Sequence, residues 1–114
     1  MGENPAGSTE QSAAPAREIT DEETFDRVVD SEERVLVEFY ADWCGPCQMM
    51  TPTVEELATE TEGAVVKVNV EELSLVAFRY DVESIPTFLG IHDGDVIGRR
   101  TGVQEKQELE PLLY

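Results

Sequence analysis

Two cysteines, Cys44 and Cys47, lie two residues apart in the segment 43–47, and they are the only cysteines in the chain. They follow closely on the apolar run 35–40, which predicts a buried strand. A Cys-x-x-Cys pair at the start of a helix that follows a strand lets one sulfur attack a substrate disulfide while the second releases it. The spacing therefore predicts dithiol–disulfide exchange.

The two sulfurs are expected to have different roles. Cys44 is the predicted nucleophile, because unpaired backbone N–H groups and the positive end of the helix dipole favour its thiolate. Cys47 lies one turn further in, is expected to be less exposed, and suits the resolving thiol that attacks the mixed disulfide. The alternative is a purely structural pair, which leaves the Gly45-Pro46 insert and the strand-to-helix placement unexplained.

Two isolated charges accompany the cysteines. Glu38 lies within the apolar strand, where an unpaired carboxylate is costly. Lys67 is equally isolated among valines in the next predicted strand, 64–70. The two side chains are predicted to form a buried pair beneath the dithiol that takes up and returns the proton of Cys47. The alternative is that Glu38 faces water on a less buried strand.

The apolar pattern along the chain predicts alternating strands and helices. Helices are predicted from Thr20 to about Val29, where Thr20 and Glu23 resemble a capping box, and over 46–62, 73–79 and 104–113. Strands are predicted at 35–40, 64–70, 87–92 and 95–100, with an edge strand at 17–19. The helix between the first two long strands requires a parallel, right-handed crossover. The pattern predicts an α/β fold with layers of helix, sheet and helix.

Three residues and one pair indicate local irregularities in these elements. Pro52 is expected to kink the longest helix, and Pro111 is expected to shorten or distort the last one. Asp93-Gly94 favours a type I′ hairpin, so the last two strands should be antiparallel. Gly90 interrupts a predicted strand and indicates a bulge or a weak position.

Length and composition place limits on the class of protein. The chain has 114 residues, of which 40% are apolar, and this suits one domain, predicted at 18–114. Residues 1–17 are poor in large apolar side chains and are predicted to form a flexible tail. We find no apolar segment typical of a secretory signal or a membrane span, so we expect a soluble cytoplasmic protein with no membrane partner.

The charge of the chain is strongly negative. It has 25 acidic and 8 basic residues, giving a formal net charge of −17, and only two of the basic residues are lysines. Such a composition resembles that of proteins from salt-accumulating halophiles, since multimolar salt screens the self-repulsion. It disfavours nucleic acid as a partner. A small and highly charged domain is expected to be a monomer.

Several motifs together resemble the thioredoxin family over about residues 18–113. They are Trp-Cys-Gly-Pro-Cys at 43–47, Glu-Phe-Tyr-Ala at 38–41, Ile-Pro-Thr at 85–87 and the Asp-Gly hairpin at 93–94, in the family's order and at similar spacings. The resemblance implies the thioredoxin fold, a central mixed β-sheet flanked by helices on both faces. It implies reduction of disulfides in client proteins, with thioredoxin reductase as the electron donor. No metal, and no cofactor beyond the reversible Cys44–Cys47 disulfide, is implied.

The resemblance also assigns residues around the dithiol. It implies that Pro86 is cis, lies against the sulfurs and blocks metal capture, and that the backbone of Ile85 pairs with a substrate strand. It also implies a flat, mostly apolar docking face around Cys44, formed by Ala41, Trp43, Gly45, Pro46, Gly102 and Val103. Two positions depart from the family, which usually has aspartate in place of Glu38 and commonly has lysine in place of Gln48.

Two other functions remain open at this point. One is an oxidase or isomerase of the same fold, which would need an oxidising compartment. The other is a non-catalytic interaction subunit, or a Cys-x-x-Cys half-site for a metal shared between molecules. A zinc site within one chain would need two further ligands, and the sequence has neither a second cysteine pair nor spaced histidines to supply them.

Overall fold

The computed structural model describes residues 16–114. The predicted tail therefore lies outside the described residues, except for its last two. Ala16 is buried, and its backbone N–H donates to Glu55 Oε1 over 3.3 Å. Arg17 already belongs to the first strand.

Five strands and five α-helices follow one another along residues 16–114. The strands are β1 (Arg17–Ile19), β2 (Arg34–Tyr40), β3 (Ala64–Asn69), β4 (Thr87–His92) and β5 (Asp95–Thr101). The helices are α1 (Glu22–Ser31), α2 (Gly45–Met49), α3 (Thr51–Glu60), α4 (Ser74–Arg79) and α5 (Lys106–Leu109), and a 3₁₀ helix (Glu110–Leu112) follows α5. None of these helices is both long and apolar enough to span a membrane.

The strands form one mixed sheet in the order β1-β3-β2-β4-β5. Strands β1 and β2 both pair with β3 in parallel, while β4 pairs antiparallel with β2 and with β5. The predicted parallel crossover over residues 35–70 is confirmed by the β2–β3 pairing. Strand β2, which leads into the cysteine pair, lies at the centre of the sheet and is buried on both faces.

Helices cover both faces of the sheet, as predicted. On one face, α1 and α4 pack on β2 through a core that includes Phe25, Val28, Val76, Val35, Val37 and Phe39. On the other face, α3 and the C-terminal segment form a second core that includes Leu36, Val54, Leu57, Phe88, Leu109 and Leu112. Alternate residues of β2 enter alternate cores, because successive side chains of a strand point to opposite faces. Glu38 has the parity of Leu36 and therefore points to the second face.

The helix termini differ from the sequence prediction in two places. The N-cap of α1 is Asp21, whose carboxylate accepts from Thr24 N–H over 2.7 Å, so the predicted capping box of Thr20 and Glu23 is wrong by one residue. The long predicted helix is two helices that meet at Met50, two residues before Pro52. Pro52 lies in the first turn of α3, where its missing N–H costs no helical bond.

The C-terminal segment is shorter than predicted. Glu105 begins α5 with a capping box in which its backbone N–H donates to Glu108 Oε1 over 2.8 Å, a signal that the sequence analysis missed. The α-helix ends at Leu109, and Pro111 lies in the 3₁₀ helix that follows. The predicted shortening at Pro111 is confirmed.

The hairpin and the irregular strand position are both present. Asp93 and Gly94 have φ values of +52° and +86°, as a type I′ turn requires at its two central residues. The ladder between β4 and β5 shifts register between Gly90 and Ile91, which confirms the predicted bulge. A side chain at Gly90 would collide with the backbone of Leu112, so glycine here also lets the C-terminal segment approach the sheet.

Candidate active site

The cysteine pair lies at the junction between the central strand and helix α2. Cys44 is the N-cap of α2, and its Sγ accepts a hydrogen bond from the backbone N–H of Cys47 over 3.1 Å. The two residues are joined by a disulfide, with 5.2 Å between their Cα atoms. Pro46 lies in the first helical turn, where no N–H is needed. The strand-to-helix placement predicted for the pair is present.

The two cysteines do not differ in exposure as expected. Cys44 is 3% exposed and Cys47 is 4% exposed in the disulfide state, so the expectation that Cys47 is the less exposed residue is wrong. What distinguishes the two sulfurs is hydrogen bonding. The Sγ of Cys44 faces a backbone donor of the first helical turn, and such a donor stabilises a thiolate more than a thiol.

Glu38 is buried on the face of the sheet that α3 and the C-terminal segment cover. Its side chain is 1% exposed, which excludes the alternative that it faces water. Its Oε1 atom has no hydrogen-bond partner within the described part of the chain. Burial raises the pKa of Glu38 from its ordinary value of 4.5 to about 7, against the opposing charge of Lys67. Glu38 therefore exchanges a proton near neutral pH.

Lys67 lies beside Glu38 in the sheet, since the two residues are register partners on β3 and β2. The ammonium group of Lys67, however, lies over the ring of Tyr40, 4.7 Å from the ring centroid. Among residues 16–114, Glu38 and Lys67 form no salt bridge. The predicted neighbours are thus brought together, but their side chains do not form the predicted direct pair in this structure.

A small cleft beside Cys47 opens Lys67 and Tyr40 to the surface. It has a volume of about 190 Å³ and is lined by Tyr40, Ala41, Asp42, Cys47, Gln48, Thr51 and Lys67. The side-chain amide of Gln48, at the position where lysine is common in the family, donates to the backbone oxygen of Asp42 over 3.0 Å. Cys47 and Lys67 therefore share one solvent-accessible space.

The loop before β4 brings the predicted proline to the site. The Ile85–Pro86 peptide bond is cis. Ile85 packs against the buried cluster that contains Ala41, Cys44 and Cys47. The backbone oxygen of Pro86 accepts from Gly102 N–H over 2.8 Å, which ties the loop after β5 to the loop before β4. Gly102 has a φ of +82°, a conformation that favours glycine.

The side chains predicted for the docking face are mostly exposed. Trp43 is 68% exposed and Val103 is 51% exposed, so neither residue is part of the core. Gly45 and Pro46 are exposed as well, whereas Ala41 is buried in one cluster with the cysteines and is not part of an exposed face. The indole N–H of Trp43 donates to Glu71 Oε2 over 3.0 Å, a contact that the sequence analysis missed. Trp43 is therefore held at the surface beside Cys44.

Metal-binding groups are not assembled in the described part of the chain. Within residues 16–114, no three His, Cys, Asp or Glu side chains come together in a group that would hold a metal ion.

A disulfide-forming Cys-x-x-Cys pair at the end of a central strand, with a cis-proline loop packed against it, defines the class of thioredoxin-fold redox proteins. Comparison with known families agrees with this class. The family model for thioredoxin matches residues 16–113. The chain belongs to the thioredoxin family.

Relatives cover this chain to different extents. The mitochondrial thioredoxin of Mus musculus is 40% identical over 90 residues, which are 77% of this chain and 54% of that protein. The chain thus spans about half the length of such mitochondrial relatives. The thioredoxin of Chlamydia pneumoniae is 42% identical over 96 residues, 83% of this chain and 93% of the relative. A structure of a mutant thioredoxin from Halobacterium salinarum aligns with a TM-score of 0.82 and 35% identity, covering 91% of this chain and 93% of the other.

Proposed function

We propose that this protein is a protein-disulfide reductase that cycles between a Cys44/Cys47 dithiol and the corresponding disulfide. The observation that carries the proposal is the hydrogen bond from Cys47 N–H to Cys44 Sγ at the start of α2. It gives Cys44 a donor that stabilises the attacking thiolate and holds the second sulfur next to the first. Membership of the thioredoxin family supports the same chemistry.

The reaction proceeds by two exchanges. The Cys44 thiolate attacks one sulfur of a client disulfide, so a mixed disulfide forms and the other client sulfur leaves as a thiolate, which takes a proton. Cys47 then loses its proton to the carboxylate of Glu38 and attacks Cys44 Sγ, which releases the second client thiolate. Two electrons pass from the dithiol to the client, and the Cys44–Cys47 disulfide remains. Electrons from thioredoxin reductase restore the dithiol.

The client docks as an extended segment beside Cys44. Exposed Trp43 and Val103 supply apolar contact, and the backbone of Ile85, in the loop that packs against the cysteines, pairs with the segment. The bond from Gly102 N–H to Pro86 joins the two loops that border this surface. The docking face therefore consists of loops fixed to one another by backbone contacts.

We further propose that the protein works as a monomer in the cytoplasm of a salt-accumulating organism. A disulfide reductase needs a reducing compartment. The net charge of −17 and the presence of only two lysines favour a salty environment, where close counterions screen the repulsion.

The first experiment is reduction of insulin by dithiothreitol, followed by turbidity, in low and in multimolar KCl. Wild type should accelerate the reduction, and both Cys44→Ser and Cys47→Ser should abolish the acceleration. Cys47→Ser should also accumulate a mixed disulfide with the client, because the resolving thiol is gone. Met49→Ser serves as the matched control, since Met49 is an exposed sulfur-containing residue of the same helix.

The opposite result is equally informative. A folded wild-type protein that accelerates nothing at any salt concentration would reject the reductase and favour the interaction subunit. The electron donor is tested separately by replacing dithiothreitol with NADPH and thioredoxin reductase, and clients are identified from the disulfides that Cys47→Ser traps in cell extract.

A further inference from the structure

Three charged residues form a row across the parallel half of the sheet. Glu18 on β1 and Glu38 on β2 are both register partners of Lys67 on β3. Side chains in register on neighbouring strands point to the same face and are near neighbours. Lys67 therefore has a carboxylate neighbour on each side, one exposed and one buried.

The ammonium group of Lys67 lies over the ring of Tyr40. Tyr40 is two residues after Glu38 on the same strand, so its side chain is on the same face. Lys67 Nζ lies 4.7 Å from the centroid of this ring, within the range of a cation–π contact. Glu38 Oε1, by contrast, has no hydrogen-bond partner within residues 16–114.

Tyr40 is itself fixed by Glu18. Its hydroxyl donates to Glu18 Oε1 over 2.6 Å, across a sequence separation of 22 residues. Burial first, and then this hydrogen bond, raise the pKa of the Tyr40 hydroxyl, so the hydroxyl is protonated and donates at neutral pH. The edge strand thus anchors the ring on which Lys67 rests.

We propose that Tyr40, anchored by Glu18, is a positioning residue that holds the ammonium group of Lys67 over its ring and away from Glu38, and so keeps Glu38 able to carry the proton of Cys47. This role rests on the proposed function, because only dithiol exchange needs a proton carrier beneath Cys47. The positioning itself is a property of the folded protein and can be measured without a client.

The distance between the ammonium group and Glu38 sets the acidity of that carboxyl group. An opposite charge within about 4–6 Å of a carboxyl group lowers its pKa by about 1–3, and the effect weakens with distance. If the ring were absent, the flexible lysine chain would bring its ammonium to the unpartnered oxygen of Glu38. Glu38 would then remain ionised at neutral pH and would be a weaker acceptor for the proton of Cys47.

Two acidic residues near Glu38 oppose the effect of Lys67 on the pKa of Glu38. Glu18 on β1 and Glu55 on α3 both raise the pKa of Glu38. The neighbour on β4 is Phe88, which has no charge. Lys67 is the cation that lowers the pKa of Glu38, so its position determines the attraction that the carboxylate experiences.

The test is an NMR titration of the Glu38 carboxyl carbon in oxidised, ¹³C-glutamate-labelled protein at one fixed KCl concentration. Comparison with Glu38→Gln, which lacks the signal, assigns the resonance. Tyr40→Leu should raise the acid dissociation constant of Glu38 at least tenfold. Tyr40→Phe, which keeps the ring, should change that constant less than threefold. Tyr114→Leu is the matched control, because Tyr114 is exposed and lines a different cavity. Near-ultraviolet circular dichroism checks that each variant is folded.

The decisive comparison uses Lys67→Met. If Tyr40 acts through Lys67, Tyr40→Leu should leave the acidity of Glu38 unchanged in the Lys67→Met background. An equal shift in both backgrounds would reject the proposal, and so would an unshifted titration in Tyr40→Leu alone. A shift that depends on Lys67 in a protein that reduces no disulfide would reject the proposed function while supporting the positioning role.

Discussion

Replacing Glu38 by glutamine should stabilise the protein at alkaline pH and not at acidic pH. The carboxyl group is 1% exposed, Oε1 has no hydrogen-bond partner among the described residues, and burial raises its pKa from 4.5 to about 7. The folded protein therefore binds this proton more tightly than the unfolded chain does. The stability that this group contributes is fully present below about pH 4.5 and is lost as the pH rises through about 7.

The magnitude follows from the same pKa. A change from 4.5 to about 7 corresponds to about 3 kcal/mol of unfolding free energy, because each pKa unit is worth about 1.4 kcal/mol. Glutamine has nearly the same shape and does not titrate. The difference in unfolding free energy between Glu38→Gln and wild type should therefore grow by about 3 kcal/mol between about pH 4.5 and about pH 8.5.

The assay is urea unfolding of both oxidised proteins at several pH values and one KCl concentration. Glu83→Gln is a suitable control, since Glu83 is exposed and the same substitution there removes a solvated charge. A constant difference between Glu38→Gln and wild type across this pH range would refute the reasoning, because it would mean that Glu38 titrates alike in the folded and unfolded chains.

Three further predictions concern packing, docking and salt. Gly90→Ala should destabilise the protein by about 1–3 kcal/mol in urea unfolding, because the added Cβ collides with Leu112. Gly45→Ala is the control, since a Cβ at that position meets no atom within 4 Å. Equal losses of stability in the two variants would contradict the packing argument. Trp43→Ala should lower the rate of insulin reduction several-fold. It should change the unfolding free energy by less than about 1 kcal/mol, because Trp43 is exposed. A loss of several kcal/mol would show instead that Trp43 is a core residue. The thermal unfolding midpoint of wild type should rise between about 0.1 and about 2 M KCl, because salt screens the repulsion among the 25 acidic residues. A midpoint that does not change with KCl in calorimetry would contradict the halophilic proposal.

The sequence predicted the fold well where its signals are local and repeated. Strand β2 and the hairpin at Asp93-Gly94 lie where apolar runs and turn residues predict them. The N-cap of α1 was missed because Thr20 and Asp21 are both good caps, and the packing of Phe25 and its neighbours, rather than capping preference, selects the frame.

The site was predictable in its residues but not in its side-chain contacts. Cys44, Cys47 and Glu38 are where the sequence analysis placed them, yet the direct pair of Glu38 with Lys67 is replaced by the contact of Lys67 with Tyr40. That outcome depends on Glu18, which reaches the site only because β1 pairs with β3. A choice between two partners for one flexible side chain cannot be made without the pairing of distant strands.

The second core is closed by the C-terminal segment, so the surroundings of Glu38 depend on residues that are distant from it in the sequence. Leu109, Leu112 and Leu113 are buried in that core against Leu36 and Phe88, the residues that flank Glu38 along and across the sheet. Local opening of this segment would admit water to that face of the sheet and hydrate Glu38. The burial that raises the pKa of Glu38 would then be lost, so the opening of residues 109–113 would turn the buried acid into an ordinary solvated carboxylate.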